Sequence, residues 1–249
     1  MTPVKKRKRL TTGIPGLDSM LGGGLLESSA LLVGGAPGVG KTTLGLQYLV
    51  TGANQGQPGL LVTFEEFPAT LIRDAKSLGW DLRALEAEGK LHLLFTSPEV
   101  FVKSLQSPDS PLSEIIRAVA PRRAVLDSMA HFQRFTSNRV ELRHIYNSLV
   151  NGLKREGMTS LLLDETAYLV GSQPRYHIGS LPFLVDAIVL MRYVEVDSAM
   201  QRAIAVLKMR GSTHARDIRS FSIEEGGIQV GEPFSGREGI LSGSPHRVA

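Results

Sequence analysis

Gly35-Ala36-Pro37-Gly38-Val39-Gly40-Lys41-Thr42 is the stretch that decides the fold of this chain. It fits G-x-x-x-x-G-K-[ST] at every fixed position. The glycines let backbone N–H groups curl around an anion with no Cβ in the way, and a helix start adds partial positive charge. Lys41 can neutralise β- and γ-phosphates, and the Thr42 hydroxyl can face Mg2+. Context agrees: the apolar strand Ser29–Val33 precedes the loop and a helical pattern, Thr42–Thr51, follows it. A glycine-rich turn that merely packs strand on helix would not need every fixed position in register. Gly35, Ala36, Pro37, Gly38, Val39, Gly40, Lys41, Thr42 and Thr43 are therefore the nucleotide-binding candidates, with ATP and Mg2+ as the expected ligands.

Outward from the loop, short apolar runs alternate with helical patterns, which predicts an α/β fold with a mostly parallel sheet flanked by helices. Strands are expected at Gly59–Phe64, Leu91–Phe95, Ala124–Asp127 and Ser160–Asp164, and helices at about Ala69–Leu78 and Leu112–Ala120. Leu142, Ile145, Tyr146, Leu149, Val150 and Leu153 recur with helical spacing and mark one apolar face. The last third is β-rich. Ala187–Val194 and Ala203–Met209 flank the polar stretch Glu195–Gln201, which reads as an antiparallel hairpin at the sheet edge. Phe221–Ile223 and Ile228–Val230 read as a smaller one. One domain is expected over 11–230, between a basic leader, 1–10, and a Gly/Ser/Pro-containing flexible tail, 231–249.

The chain has 249 residues, 28 Lys and Arg, 24 Asp and Glu, and no cysteine. Disulfides and thiolate metal sites are thereby excluded. No apolar run is long enough to span a membrane, and the basic start leads into no apolar stretch, so a cytoplasmic protein is expected. Lys5 to Arg9 supply five consecutive positive charges; without them 23 basic residues face 24 acidic ones. Basicity is thus a property of the leader, and such runs are more often solvated than bound to nucleic acid.

A P-loop protein needs a carboxylate at a neighbouring strand end to hold the hydration shell of Mg2+. Asp127, after Ala124-Val125-Leu126, is the first candidate, and Asp164, after Leu161-Leu162-Leu163, competes with it. Thr63-Phe64-Glu65-Glu66 closes another strand, where ligands of open α/β sheets lie. One glutamate could deprotonate the attacking water while its neighbour's charge raises its pKa. Two solvated loop charges would look the same on spacing alone.

Taken together, these residues resemble a single-domain member of the KaiC-like group of RecA-type ATPases, with more distant similarity to RadA and the DnaB helicases. The resemblance rests on Thr12-Gly13-Ile14-Pro15-Gly16-Leu17-Asp18, Gly22-Gly23-Gly24, Thr63-Phe64-Glu65-Glu66, Leu78-Gly79-Trp80-Asp81, Leu126-Asp127-Ser128 and Lys208-Met209-Arg210-Gly211-Ser212-Thr213-His214. It implies a RecA-like fold, catalytic roles for Glu65, Glu66 and Lys41, and Asp127 rather than Asp164 at magnesium. It also implies that Arg202, Lys208 and Arg210 serve the nucleotide of a neighbouring subunit, with His214 nearby and Glu225 near adenine. On residue type alone those charges would read as ordinary edge-strand charges. Where the family often carries Thr or Ser before the glutamate of a late strand, this chain has Asp164-Glu165. No counterpart of the clock protein's phosphorylated Ser-Thr pair stands out, and nothing identifies an acceptor for autokinase activity.

Three functions follow as expectations. The first is an ATP hydrolase assembled as a homo-oligomeric ring, taken as a hexamer, with shared sites and a regulatory or signalling role. The second is a RadA-type DNA-binding protein using the leader and the loops Ala130–Asn138 and Tyr168–Ser180, against which the near-neutral body argues. The third is a nucleotide-switched interaction module with incidental turnover.

Overall fold

A computed structural model describes residues 7–107, 109–134, 136, 138–165, 181–241 and 246–247. The elements in chain order begin with β1 (Arg9–Leu10), α1 (Leu17–Met20), β2 (Leu25–Leu26), β3 (Ala30–Gly35), α2 (Lys41–Asn54) and β4 (Gly59–Thr63). They continue with α3 (Pro68–Ser77), α4 (Leu82–Ala87), β5 (Leu91–Phe95), α5 (Pro98–Gln106), α6 (Pro111–Val119) and β6 (Arg123–Asp127). A 3-10 turn, Met129–Arg134, then leads to α7 (Arg139–Arg155), β7 (Thr159–Glu165) and α8 (Leu181–Leu184). The rest is β8 (Ala187–Val196), β9 (Ala199–Met209), β10 (Arg219–Glu224), β11 (Gly227–Pro233), β12 (Arg237–Glu238) and β13 (His246–Arg247).

Nine strands form one sheet in the order β11-β10-β9-β8-β3-β7-β6-β4-β5. From β8 to β5 all neighbours run parallel; β8, β9, β10 and β11 are joined antiparallel. Alternation along the strands serves two cores. Leu31, Val33, Leu61, Val125, Leu161 and Leu163 pack with Leu44, Tyr48 and Leu49 of α2. Leu32, Val62, Leu126 and Leu162 pack with Tyr146, Leu149, Val150 and Leu153 of α7. Because both faces are covered, the central strands read as continuous apolar runs.

Side-chain caps fix several helix starts. Ser97 accepts from the Val100 amide, Ser110 from Ser113, and Asn138 from Val140 and Glu141; Pro98 and Pro111 stand at the first turns of α5 and α6. These caps satisfy amides that helix geometry leaves orphaned. At α2 the first residue outside the helix is Gly40, left-handed at φ 114°, with no side chain to cap. The amides at this end are left for another acceptor.

Arg123, at the start of β6, is 0% exposed. Its guanidinium donates to the Tyr48 carbonyl at 2.7 Å and to Gln57 and Gln55, and lies 4.5 Å from the Tyr48 ring centroid. A buried cation persists only when bonded in this way. It anchors the strand whose other end is Asp127.

Three expectations change. The hairpin β8–β9 is interior rather than at the edge, because β10 and β11 extend the sheet past it. Its loop is only Asp197-Ser198, both at positive φ (51° and 60°), as in the two-residue turns that match strand twist. Glu195, Val196 and Ala199–Gln201 are therefore strand, not turn. The stretch after Gly231 is structured over its described part: β11 runs to Pro233, Ile240 is buried, and Arg192 donates to the Leu241 carbonyl. At the other end, Arg9 donates to the carbonyls of Leu21 and Gly24 and to the Ser212 hydroxyl, so it belongs to the domain; residues 1–6 lie outside the described residues.

Candidate functional site

A cavity of about 390 Å3 opens beyond the carboxyl ends of the parallel strands. Pro37, Gly38, Gly40, Lys41, Thr42, Thr43, Glu65, Glu66 and Asp127 all line it. The phosphate loop bridges β3 and α2 with Gly38 and Gly40 at positive φ (74° and 114°), a conformation that suits glycine. A Cβ on Gly40 would stand 2.5 Å from Ile223 Cδ1, and one on Gly35 would meet the Met191 carbonyl oxygen at 2.8 Å. Val39 is buried beneath the loop.

Lys41 is folded back on its own loop, its Nζ donating to the carbonyls of Gly35 (3.0 Å) and Ala36 (2.9 Å). Burial lowers its pKa, opposed by the carboxylates of Glu165, Asp127 and Asp164. These carbonyls hold the ammonium where phosphate oxygens could replace them. The Thr42 hydroxyl donates to Asp127 Oδ2 at 2.7 Å. Burial raises the pKa of Asp127, and Glu165 adds to this; the Thr42 hydrogen bond, Lys41 and His131 oppose it. A half-buried carboxylate beside a hydroxyl is a hard-oxygen donor pair of the kind that holds Mg2+ together with phosphates and water. No cluster of three or more His, Cys, Asp or Glu fit for a metal occurs among the described residues.

Glu65 and Glu66 sit on a turn fastened at both sides. Thr63 Oγ1 donates to the Glu66 carbonyl at 2.8 Å, and the Phe64 amide donates to the Asp127 carbonyl at 3.0 Å. The two side chains differ. Glu65 pairs with His131 Nε2 at 3.0 Å. Glu66 has its pKa raised, first by partial burial and then by the charges of Asp127, Asp74 and Glu65.

Asp164 takes no place in the cavity. It is 0% exposed, and among the described residues no side chain hydrogen-bonds its carboxyl oxygens, the adjacent Glu165 backbone being the one polar group that favours its charge there besides Lys41. Alternation along β7 puts it with Ser160 and Leu162 on the α7 face, where the hydroxyls of Ser160 and Tyr146 are also unpartnered. Burial pushes its pKa up to about 7. Glu165, one residue on, does line the cavity.

Arg202, Lys208, Arg210, His214 and Glu225 do not line this cavity. Lys208 Nζ donates to the carbonyls of Pro182 and Val185, and Arg210 to that of Phe183. His214 Nδ1 lies 2.8 Å from the Ala215 carbonyl, and Glu225 is exposed on the β10–β11 turn. Arg202 lies over the ring of Tyr193, its cross-strand partner, 5.6 Å from the centroid, with its Nε buried and unpartnered. The Tyr193 hydroxyl donates to the Gly38 carbonyl at 2.7 Å.

Sequence reasoning did not identify Tyr193, Ile223 or Ser128 at this site, and it set His131 among nucleic-acid loop residues. Phe132 of that same loop is 0% exposed in the core and is not available to stack on a base. Phe135 and residues 166–180, with Arg175, Tyr176 and His177, lie outside the described residues.

A strand–loop–helix phosphate cradle with carboxylates on adjacent parallel strand ends defines a P-loop ATPase of RecA-like fold. The family described as "ATPase: KaiC" matches residues 10–235, and the chain belongs to it. It is 36% identical over 243 residues to the "Circadian clock protein KaiC3" of Synechocystis sp., covering 97% of this chain and 47% of that protein. It is 35% identical over 251 residues to the "Circadian clock oscillator protein KaiC" of Thermostichus vulcanus, covering 100% of this chain and 47% of that one. The corresponding protein of Picosynechococcus sp. is 35% identical over 253 residues, with 100% and 48% covered. The chain spans about half the length of these relatives. Among the described residues no helix is long and apolar enough to cross a membrane.

Proposed function

We propose that the chain is a Mg2+-dependent ATP hydrolase whose sites are completed between subunits of a homo-oligomeric ring, taken as a hexamer, with a regulatory role. The observation that carries this reading is the charge of the cavity. Glu65, Glu66, Asp127 and Glu165 line it against one lysine, Lys41, among the described residues. A triphosphate adds more negative charge, and uncompensated like charges in a partly buried site are costly. Beyond Lys41 and the magnesium ion, cations supplied by a neighbouring copy would offset that charge. Arg202, Lys208 and Arg210, turned away from it on β9 and just beyond, are suited to reach a neighbour's nucleotide.

In this reading the loop amides and the uncapped start of α2 hold the phosphates, and Lys41 leaves its carbonyls for β- and γ-oxygens. Mg2+, held by Thr42 and Asp127, would neutralise charge growing on the transferred group. A water oxygen attacks the γ-phosphorus as the bond to the β,γ-bridging oxygen breaks. The water's proton passes to a carboxylate of the Glu65–Glu66 pair.

Mass measurement of the purified chain with and without ATP and Mg2+ tests the reading. A multimer that forms or tightens with nucleotide is expected. Full turnover by a protein that stays monomeric under every condition would refute shared sites.

A further inference from the structure

We propose that His131 is a positioning residue for hydrolysis, acting through Glu65 and splitting the glutamate pair into one held and one free group. The inference rests on the hydrolase reading above. Its geometric basis is the 3.0 Å contact between His131 Nε2 and Glu65 Oε2. Among the described residues no hydrogen bond holds the Glu65 side chain, which is 72% exposed, so this contact with the 13% exposed imidazole is what orients it.

Both partners are fixed by the residues beside them. Phe64, immediately before Glu65, is buried and packs edge-on against Phe132 at 5.2 Å and 89°, and against Phe101 at 5.9 Å. Phe132, immediately after His131, is fully buried and also meets Tyr146. Met129 and Phe132, three apart on the 3-10 turn, both enter the core, which leaves His131 directed to the cavity it lines. The Phe64–Phe132 contact therefore sets the spacing of two backbones, and the histidine and glutamate close the remaining gap. Aromatic pairs of this kind are rigid compared with an exposed carboxylate on rotatable bonds.

The chemical consequence is a division of labour. A free glutamate at a solvent-facing turn samples several rotamers, and positioning relative to a reacting water is itself a large part of rate enhancement. His131 removes that freedom from Glu65 alone. Glu66, whose side chain has no hydrogen bond in the described structure, keeps a carboxylate with a raised pKa beside Asp127. An exposed ion pair contributes little to stability. What this pair offers beside the phosphate cavity is orientation of Glu65.

The test is a kinetic double-mutant cycle on the full chain. His131→Ala is expected to lower kcat about tenfold, the scale of a lost orienting contact, with KM for ATP and the melting temperature little changed. His131→Gln, whose amide can still donate to Glu65, should recover most of the loss. Adding His131→Ala to Glu65→Gln should cost nothing further. Unchanged turnover in His131→Ala overturns the inference, and so does a full additional loss in the Glu65→Gln background. A His131→Gln variant as slow as His131→Ala also counts against it. No turnover in the unsubstituted protein would instead refute the hydrolase reading on which the inference stands.

Discussion

The Thr42 hydroxyl donates to Asp127 Oδ2 at 2.7 Å, joining the first turn of the phosphate-loop helix to the end of a strand 85 residues later. That bond puts two hard-oxygen donors at one point of the cavity. Asp127→Asn keeps a similar shape and removes the charge. Turnover should fall by roughly a hundredfold, consistent with loss of a metal-holding carboxylate. Nucleotide affinity measured without Mg2+ should stay within about twofold, well below the 1.4 kcal/mol of a tenfold change. Calorimetric titration with and without the ion separates the two, and an equal loss in both conditions would contradict the assignment.

Lys41 is held by carbonyls that a phosphate can displace. Lys41→Ala should weaken ATP binding by about tenfold or more, while its melting temperature without nucleotide holds or rises, since a buried cation has been removed. Binding of a fluorescent ATP analogue and a thermal melt together check this.

If the cations of β9 act on a neighbour, two defects should complement each other. Arg210→Ala subunits and Glu65→Ala/Glu66→Ala subunits should each lose at least roughly a hundredfold in turnover. Mixed assemblies, with mixing shown by mass, should regain part of it. Mixtures as inactive as either parent would rule out sites shared in this way.

Asp164 makes a prediction about pH. Its carboxyl is fully buried and titrates near 7, whereas in an unfolded chain it would titrate near ~4. Between those values the folded state holds the extra proton, so the Asp164 contribution to stability falls as pH rises from about 4 to about 7. Asp164→Asn cannot ionise. It should be more stable than the unsubstituted protein at pH 8, by an amount on the order of a few kcal/mol, and the gap should narrow below pH 7 and close only near pH 4. A gap that does not vary with pH would mean that Asp164 stays charged or neutral throughout.

How much of this was legible in the sequence depended on how local each cause is. β3 and β4 were read to within two residues because strands buried on both faces are unbroken apolar runs, and Leu91–Phe95, an edge strand with His92 within it, was read with the bounds it has from its remaining apolar residues. Helices α4 and α5 were passed over, although Ser97-Pro98 is a cap followed by a first-turn proline. Glu195–Gln201 looked like a loop because its polar residues belong to the exposed end of a long hairpin, and only Asp197-Ser198 turns. The phosphate loop was legible because eight consecutive residues carry its chemistry. Choosing Asp127 over Asp164 from residue type alone was not feasible, since both end apolar strands and only the packed sheet shows which side chain meets Thr42. The contact of His131 with Glu65 was not legible for the same reason: it depends on Phe64, 67 residues earlier, being held against Phe132.

Tyr193 gives the phosphate loop a mooring outside its own strand and helix. Its hydroxyl holds the Gly38 carbonyl while its ring lies beneath the Arg202 guanidinium. Under the proposal of shared sites, this tie would link the filling of the cradle to the cation that the hairpin offers an adjacent copy.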